Sequence, residues 1–181
     1  MSSSLTLATN LIMNGEYRKN VGIVVLKDNL IFAGFRRDVE ENSKTGWQMP
    51  QGGVDAGEDI LTAGYRELFE ETGIKKNKIK FIAQMPNNIK YDFDNNYIEK
   101  HKNTRFAQYK GQEQYWLVFD FLGANEDINL HATAEEPEFS KWEWKTANFL
   151  LNNIIEFKKE VYKKLFNWMI SEKLIQEEFN S

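Results

Sequence analysis

The nine residues YRELFEETG, Tyr65 to Gly73, decide how this chain is interpreted. They carry three glutamates, Glu67, Glu70 and Glu71, at spacings of three and four residues. On an α-helix these spacings place the side chains on one face, where like charges repel each other and lower stability. A folded protein that keeps three carboxylates together therefore needs a positive charge beside them.

The flanking residues define a helix between two loops. The pattern predicts a helix over residues 58–72, and Gly73 is well placed to end it, because glycine readily adopts the backbone that closes helices. Upstream, the segment WQMPQGGVDAGE is rich in glycine and contains Pro50, so it is predicted to be mostly loop. Its glycines leave the backbone open to close approach by a metal ion or a phosphate.

Composition limits the class of protein. The chain has 181 residues, of which 41% are hydrophobic, so we expect one domain with a sizeable core. It has no cysteine, which excludes disulfides, thiolate metal sites and a cysteine nucleophile. The net charge of −4 argues against a general nucleic-acid coat or a DNA partner. No signal peptide or long apolar run is evident, so we expect a cytoplasmic protein with no membrane partner.

The rest of the chain is predicted to form a mixed sheet with few helices. Two apolar runs, 21–26 and 30–35, flank the turn signal Asp28-Asn29 and indicate a hairpin. Residues 38–46 and 86–112 are predicted to be loops. Further strands are predicted at 78–85, 113–122 and 138–145. Residues 146–179 are predicted to form one long helix or two shorter ones.

The order of these elements favours an α+β fold, because strands and helices mix without regular alternation. Residues 1–16 are predicted to be a flexible tail, and residues 17–181 a single domain. Nothing in the sequence indicates an oligomer, and a monomer is favoured.

Three carboxylates on one helical face suit a hard divalent cation. Mg²⁺ takes oxygen ligands, keeps several waters and bridges to substrate phosphates. A bound cation also cancels the repulsion among the carboxylates. A glutamate that does not bind the ion can accept a proton from a water molecule that the ion has made more acidic.

The segment from Gly52 to Ile74 resembles the Nudix box in full. Gly52 is followed after five residues by Glu58, and then by Arg66 at the start of RELFEETGI. The resemblance implies an α/β/α sandwich with a mixed central sheet, a loop–helix–loop motif and a C-terminal helix. It also implies hydrolysis of a phosphoric anhydride bond with Mg²⁺ or Mn²⁺, and more than one ion.

The same resemblance implies roles for the residues of the box. Glu67 and Glu71 align with metal ligands, and Glu70 with a further ligand or the general base. Arg66 aligns with an arginine that orients a glutamate by a charge-assisted hydrogen bond. The backbone carbonyl of Gly52 is expected to bind a metal ion. Glu58 is interpreted as structural or outer-sphere.

Segments from about residue 17 to residue 164 are similar to the bacterial RNA pyrophosphohydrolases and the related dinucleoside polyphosphate hydrolases. This implies 5′-triphosphorylated RNA or a dinucleoside polyphosphate as substrate, and a role in mRNA decay. By position, the substrate contacts are expected at Arg18, Arg36, Tyr91, Gln114, Phe157 and Lys158. Glu138 aligns with a late glutamate that binds a metal ion or acts as the base.

Within that set, Arg18 and Lys158 align with phosphate contacts. Arg36 and Phe157 align with a pair that stacks on the first base. Tyr91 and Gln114 are placed on the phosphate side.

Several alternatives stay open at this point. Glu138 is equally compatible with a surface carboxylate, and Phe157 with core packing. Trp47 is interpreted as core, whereas His101 and His131 are interpreted as surface residues. Residues 92–108 match the group poorly, and 38–46 form a longer loop than in its other members. A non-catalytic module that binds nucleotides or RNA ends is the second class of function.

Overall fold

The computed structural model describes residues 15–176. Within them, eight strands run in chain order: β1 Glu16–Lys27, β2 Leu30–Arg36, β3 Trp47–Gln48, β4 Gln51–Gly53, β5 Ile79–Gln84, β6 Ile89–Asp92, β7 Tyr109–Phe121 and β8 Phe139–Lys145. The helices are α1 Ile60–Thr72, α2 Asn95–His101, α3 Ala147–Asn152 and α4 Lys159–Ser171. Short 3₁₀ turns link several of these elements.

The predicted hairpin is present at the start of the fold. Strands β1 and β2 pair antiparallel, with Leu26 opposite Ile31. The turn residues Asp28 and Asn29 have φ angles of 51° and 64°. Positive φ at both positions matches the tight turns that suit the twist of a two-stranded ribbon, and aspartate and asparagine tolerate it better than most residues.

The sheet is mixed, as predicted. β1 lies parallel to β7 from Tyr17 opposite Gly111 to Leu26 opposite Asp120. The other pairings are antiparallel, and they place β2 and β4 against β1, and β5 and β6 against β7. The two longest strands therefore form the centre of the sheet.

Helices cover both faces of this sheet. On one face, the alternate residues from Val21 to Val25 pack with Ala63 and Leu68 of α1. On the other face, Val24 packs with buried residues of α3 and α4, namely Ala147, Leu150, Val161, Leu165 and Met169. Alternation along a strand sends successive side chains to opposite faces, so β1 contributes to both cores. The α/β/α sandwich is confirmed.

Two predictions about regular structure need correction. Residues 86–112 are not one loop, because they contain β6, α2 and the first part of β7. Residues 146–176 form two helices, which agrees with the second predicted alternative, and Lys158 is the N-cap of the second helix. The predicted helix over residues 58–72 begins at Ile60, because Asp59 is its N-cap.

Other expectations fall at the ends of the chain or in its core. Most of the predicted tail lies outside the described residues, although Glu16 already belongs to β1. Trp47 is buried, as predicted. No helix between residues 15 and 176 has both the length and the apolar composition of a membrane span.

Candidate active site

Helix α1 is held in place at both ends. The carboxylate of Asp59 accepts a hydrogen bond from the backbone N–H of Thr62 at 2.9 Å. At the other end Gly73 has a φ of 71°, and its N–H donates to the carbonyl of Phe69 at 2.9 Å. Leu68 packs into the core, whereas Glu67 and Glu71 are half-buried and Glu70 is exposed at the surface.

These glutamates lie in the C-terminal half of α1. Backbone dipoles make that end of a helix partly negative, so Glu67, Glu70 and Glu71 are unfavourable there. The last turn of α1 carries no basic residue that would offset them. The negative end of the helix and the spacing of the three glutamates therefore both favour a bound cation.

Gly52 makes room for one of these carboxylates. A Cβ atom at position 52 would lie 1.9 Å from a carboxylate oxygen of Glu67. Strand β4, which contains Gly52, pairs with β1 at Val21, so its backbone is fixed against the glutamate. The Gly52 backbone and the Glu67 side chain, both predicted metal ligands, are thus brought together.

Arg66 ties the loop before the helix to the helix itself. Its Nε and Nη2 donate to the two carboxylate oxygens of Glu58 at 2.9 and 2.8 Å. Its Nη1 donates to Glu67 at 2.7 Å, and Nη2 also donates to the carbonyl of Gly53 at 2.8 Å. This bidentate pairing lowers the pKa of Glu58 and raises that of Arg66. Glu58 thereby holds the guanidinium that in turn orients Glu67.

Negative charge accumulates around Glu71. Burial raises the pKa of Glu71 well above its usual value, and the charges of Glu138 and Glu67 raise it further. Burial also raises the pKa of Glu67, although its bond with Arg66 acts in the opposite direction. One Glu71 oxygen accepts from the N–H of Gln51 at 3.1 Å, which is a weak compensation for this crowding.

The donor set fits a divalent cation in its chemistry. Glu67, Glu70, Glu71 and Glu138 line a common cavity of about 470 Å³ between α1 and the loop before β8. Among residues 15–176, however, no three acidic or histidine side chains already stand close enough to hold an ion. One Glu67 oxygen is taken by Arg66, so side-chain rotation has to complete the coordination.

A second, larger cavity of about 1110 Å³ continues from the glutamates to a cationic wall. Arg18 and Lys158, the predicted phosphate contacts, both line it. Lys158 is 4% exposed, and its Nζ donates to the side-chain oxygen of Gln51 at 3.1 Å. Burial, with the nearby charge of Arg36, lowers the pKa of Lys158 to about 7.

Gln51 is a residue that the sequence analysis missed. Its side-chain oxygen accepts from Lys158 and from Gln114, the latter at 3.0 Å, while its backbone N–H reaches Glu71. Its position directly before Gly52 was the available signal. Gln114 itself is 1% exposed, is absent from the residues that line the two cavities, and donates to Asn20 at 2.8 Å. It therefore supports Gln51 from behind.

Of the predicted base-stacking pair, Arg36 lines the larger cavity, whereas Phe157 packs behind the cavity residues Tyr91, Phe93 and Tyr97. Arg36, the last residue of β2, lines the cavity and makes two hydrogen bonds with Asp38, at 2.8 and 2.6 Å. Phe157 is half-buried and stacks on Tyr91, with ring centroids 6.0 Å apart. The hydroxyl of Tyr91 donates to Gln112, which leaves it no free proton for a phosphate.

Helix α2 forms one wall of this cavity. Tyr97 stacks on Phe93, with ring centroids 4.4 Å apart, and on His101, with centroids 4.0 Å apart. His101 was expected at the surface, but it is half-buried and lines the cavity. Only His131 is exposed as predicted. The wall lies in the segment that matched the related group poorly.

Comparison with known sequences places this geometry in a family. The NUDIX domain family matches residues 16–165. An RNA pyrophosphohydrolase of Dinoroseobacter shibae is 41% identical over 152 residues, which cover 83% of this chain and 90% of that protein. The RNA pyrophosphohydrolase of Pelagibacter ubique is 44% identical over 152 residues, with the same coverage of 83% and 90%.

Solved structures give the same fold. The dihydroneopterin triphosphate pyrophosphohydrolase of E. coli superimposes with a TM-score of 0.61 at 15% identity, covering 82% of this chain and 96% of that one. An Ap4A hydrolase of C. elegans superimposes with a TM-score of 0.57 at 17% identity, covering 85% of this chain and 98% of that one. At such identities the likeness establishes the fold alone.

Proposed function

Because the chain belongs to the Nudix hydrolase family, we propose that it is a metal-dependent RNA pyrophosphohydrolase. It converts the 5′-triphosphate of RNA into a 5′-monophosphate and releases pyrophosphate. The observation that carries this proposal is the continuous cavity that joins four carboxylates to Arg18, Arg36 and Lys158. The carboxylates can hold the metal ions, and the cationic side chains can bind the polyphosphate, which is itself strongly negative.

The glutamates at one end of the cavity would hold the cations. Glu67, Glu71 and Glu138, with the Gly52 carbonyl, would bind Mg²⁺ or Mn²⁺, and more than one ion. When bound, such ions screen phosphate charge and make a coordinated water more acidic. Glu70 is 50% exposed and makes only a 3.5 Å contact with Arg66, so it is the carboxylate best placed to accept a proton from the attacking water.

In the reaction, the water attacks one phosphorus of the chain, the anhydride bond to the departing pyrophosphate breaks, and the proton of the water passes to a glutamate.

The cationic end of the cavity would orient the substrate. Arg18 and Lys158 would contact phosphate oxygens. Lys158 is held by the uncharged side chain of Gln51, and Arg18 lies over the ring of Phe106. Arg36 and Phe157 would enclose the first base.

The names of the related proteins favour RNA over a dinucleoside polyphosphate. Several bacterial proteins at about 40% identity are called RNA pyrophosphohydrolase. The Ap4A hydrolases share only the fold at 17% identity. An enzyme that trims RNA ends works where transcripts are made and degraded, so we also propose a cytoplasmic location and a role in mRNA decay.

Turnover of two substrates tests this function. Triphosphorylated RNA and diadenosine tetraphosphate are compared on one preparation with Mg²⁺, alongside Glu70→Gln and Glu138→Gln. We expect a higher kcat/KM for RNA, release of pyrophosphate, and a loss of about 100-fold or more in Glu70→Gln. A higher kcat/KM for the dinucleotide rejects RNA as the main substrate. Tight binding of both substrates without turnover identifies a binding module instead.

A further inference from the structure

Asp38 is partly exposed, and its carboxylate pairs with two cationic side chains, Arg36 and Lys100. It accepts the Nε of Arg36 on one oxygen at 2.8 Å and the Nη2 on the other at 2.6 Å. The second oxygen also accepts from Lys100 at 3.0 Å. Burial raises the pKa of Asp38, but the bonds from Arg36 and Lys100 outweigh it, and the pKa is lowered overall. A single carboxylate thus joins two cations from separate parts of the chain.

The geometry of the Arg36 bonds fixes a plane. A guanidinium held by a carboxylate at two nitrogens cannot rotate about its long axis without breaking a bond. These bonds do not use its faces, because they lie in the plane of the group. A face held in this way is what stacking on a flat base requires.

Lys100 links this plane to helix α2, which also touches the opposite side of the predicted base site. Tyr97, three residues before Lys100 on α2, packs edge-on against Phe157 with ring centroids 5.6 Å apart. The same helix therefore contacts Phe157 directly and Arg36 through Asp38. Neither contact lies in the Nudix box, and α2 belongs to the poorly matched segment.

We propose that Asp38 is a positioning residue for base recognition, which holds the Arg36 guanidinium flat and, with Lys100, fastens it to α2. The inference rests on the proposed function for the identity of the ligand, a nucleobase next to a 5′-polyphosphate. Exposed ion pairs contribute little to stability as a rule. The pair between Asp38 and Arg36 differs from such pairs because it is bidentate and includes Lys100 as a third charge. Both features fix the orientation of Arg36.

The matched variants are Asp38→Ala, Lys100→Ala and Lys102→Ala. Lys102 is the control, because it lies directly after α2, carries the same charge and pairs with Glu99 instead of Asp38. On triphosphorylated RNA we expect Asp38→Ala to raise KM about fivefold, the lower end of what base stacking contributes, with kcat changed by less than about twofold. Lys100→Ala should raise KM less, and Lys102→Ala not at all. Equal KM values for Asp38→Ala and Lys102→Ala overturn the inference.

A double-mutant cycle with Arg36→Ala separates positioning from a general effect. If Asp38 acts through Arg36, the double variant should have the KM of Arg36→Ala alone. The inference is contradicted if the increase in KM of the double variant is the product of the two single increases, or if Arg36→Ala leaves KM unchanged. Asp38→Asn keeps the side-chain shape and removes the charge, so it replaces Asp38→Ala if that variant fails to fold.

Binding without turnover keeps the inference testable on its own. Calorimetric titration of the same RNA in EDTA reports affinity whether or not the wild-type protein hydrolyses it. Weaker binding by Asp38→Ala than by the wild type and Lys102→Ala supports the positioning role even if the proposed reaction fails. Equal binding by all three proteins overturns the role even if the reaction is confirmed.

Discussion

A methyl group at position 52 would occupy the place of the Glu67 carboxylate. The ideal Cβ lies 1.9 Å from a Glu67 oxygen, and Arg66 holds that carboxylate from the other side. We therefore expect Gly52→Ala to displace the carboxylate and lower kcat/KM by about 100-fold, a loss typical of misplaced catalytic groups. Steady-state kinetics and circular dichroism separate this from unfolding.

Gly57→Ala is the matched control for this substitution. Its Cβ would meet no atom within 4 Å, but its φ of 80° makes alanine strained, at a cost of roughly 1–2 kcal/mol. It should lower stability while kcat/KM stays within about twofold of the wild type. An equal loss of activity in both variants argues against a specific role for Gly52.

Glu71 links function to pH-dependent stability. Its folded pKa is raised by burial and by Glu138, so above the pKa of the unfolded chain the folded state binds more protons. The free energy of unfolding should then fall as pH rises, and Glu71→Gln should remove part of this slope. In EDTA the variant should be more stable than the wild type at pH 7.5, with a smaller difference at pH 5.

Urea unfolding at the two pH values measures this difference, and activity with Mg²⁺ provides the second readout. We expect Glu71→Gln to be inactive, because an amide is a poorer ligand for a hard cation than a carboxylate. A variant that is less stable than the wild type at pH 7.5 shows that the crowded charge does not destabilise the metal-free protein.

At the scale of elements, the two ends of helix α1 should differ in their sensitivity. Asp59→Ala removes one N-cap and should lower the free energy of unfolding by about 1 kcal/mol. Gly73→Ala adds strain at a φ of 71° and brings a Cβ within 2.4 Å of the Asn129 carbonyl, so the loss should be about 2–4 kcal/mol. Urea denaturation measures both values, and an equal loss contradicts the strain argument.

Which elements could be predicted depended on the strength of the local pattern. The hairpin at Asp28-Asn29 and helix α1 carry clear turn and cap residues, and both were predicted. Strand β6 was missed, although Ile89, Tyr91 and Phe93 alternate as buried residues, because three apolar positions in a polar segment are a short signal. Helix α2 was missed because its stability comes from stacking on neighbours and little from its own seven residues.

Site residues that lie close together in the sequence could be predicted as a group, whereas contacts between residues far apart in the sequence could not. The box glutamates and Arg66 are brought together by one helix, so their spacing was sufficient. The burial of Lys158 beneath Gln51 depends on how the C-terminal helices meet the sheet, and no local pattern contains that information. The same holds for Lys100 and Asp38, which are 62 residues apart in the chain.

The whole molecule combines a negative net charge with a cationic wall inside one cavity. The parallel pairing of β1 with β7 builds this arrangement, because it brings Arg18 beside Gln112 and the segment that contains α2. Such long-range pairing is invisible to periodicity. Electrostatic attraction of RNA is therefore confined to the cavity, because the net charge of −4 opposes non-specific binding elsewhere on the surface.

Salt dependence measures how local this attraction is. Each phosphate contact on single-stranded RNA contributes about −0.7 to the slope of log affinity against log salt. With phosphate contacts from Arg18 and Lys158 we expect a slope of about −1.4. Arg18→Ala should make the slope less steep by roughly 0.7, and Lys102→Ala should leave it unchanged. A slope of about −5 or steeper for the wild type points to a wider RNA surface.

Carboxylates of helix α1 are proposed to gather divalent cations next to the phosphate chain. Anomalous diffraction from a crystal grown with Mn²⁺ and a non-hydrolysable triphosphate locates these cations. We expect manganese peaks among Glu67, Glu71 and the Gly52 carbonyl, with Glu138 closing on the same ions, and no such peaks in Glu67→Gln. Manganese bound elsewhere, with these side chains turned away from it, would show that α1 does not form the metal site.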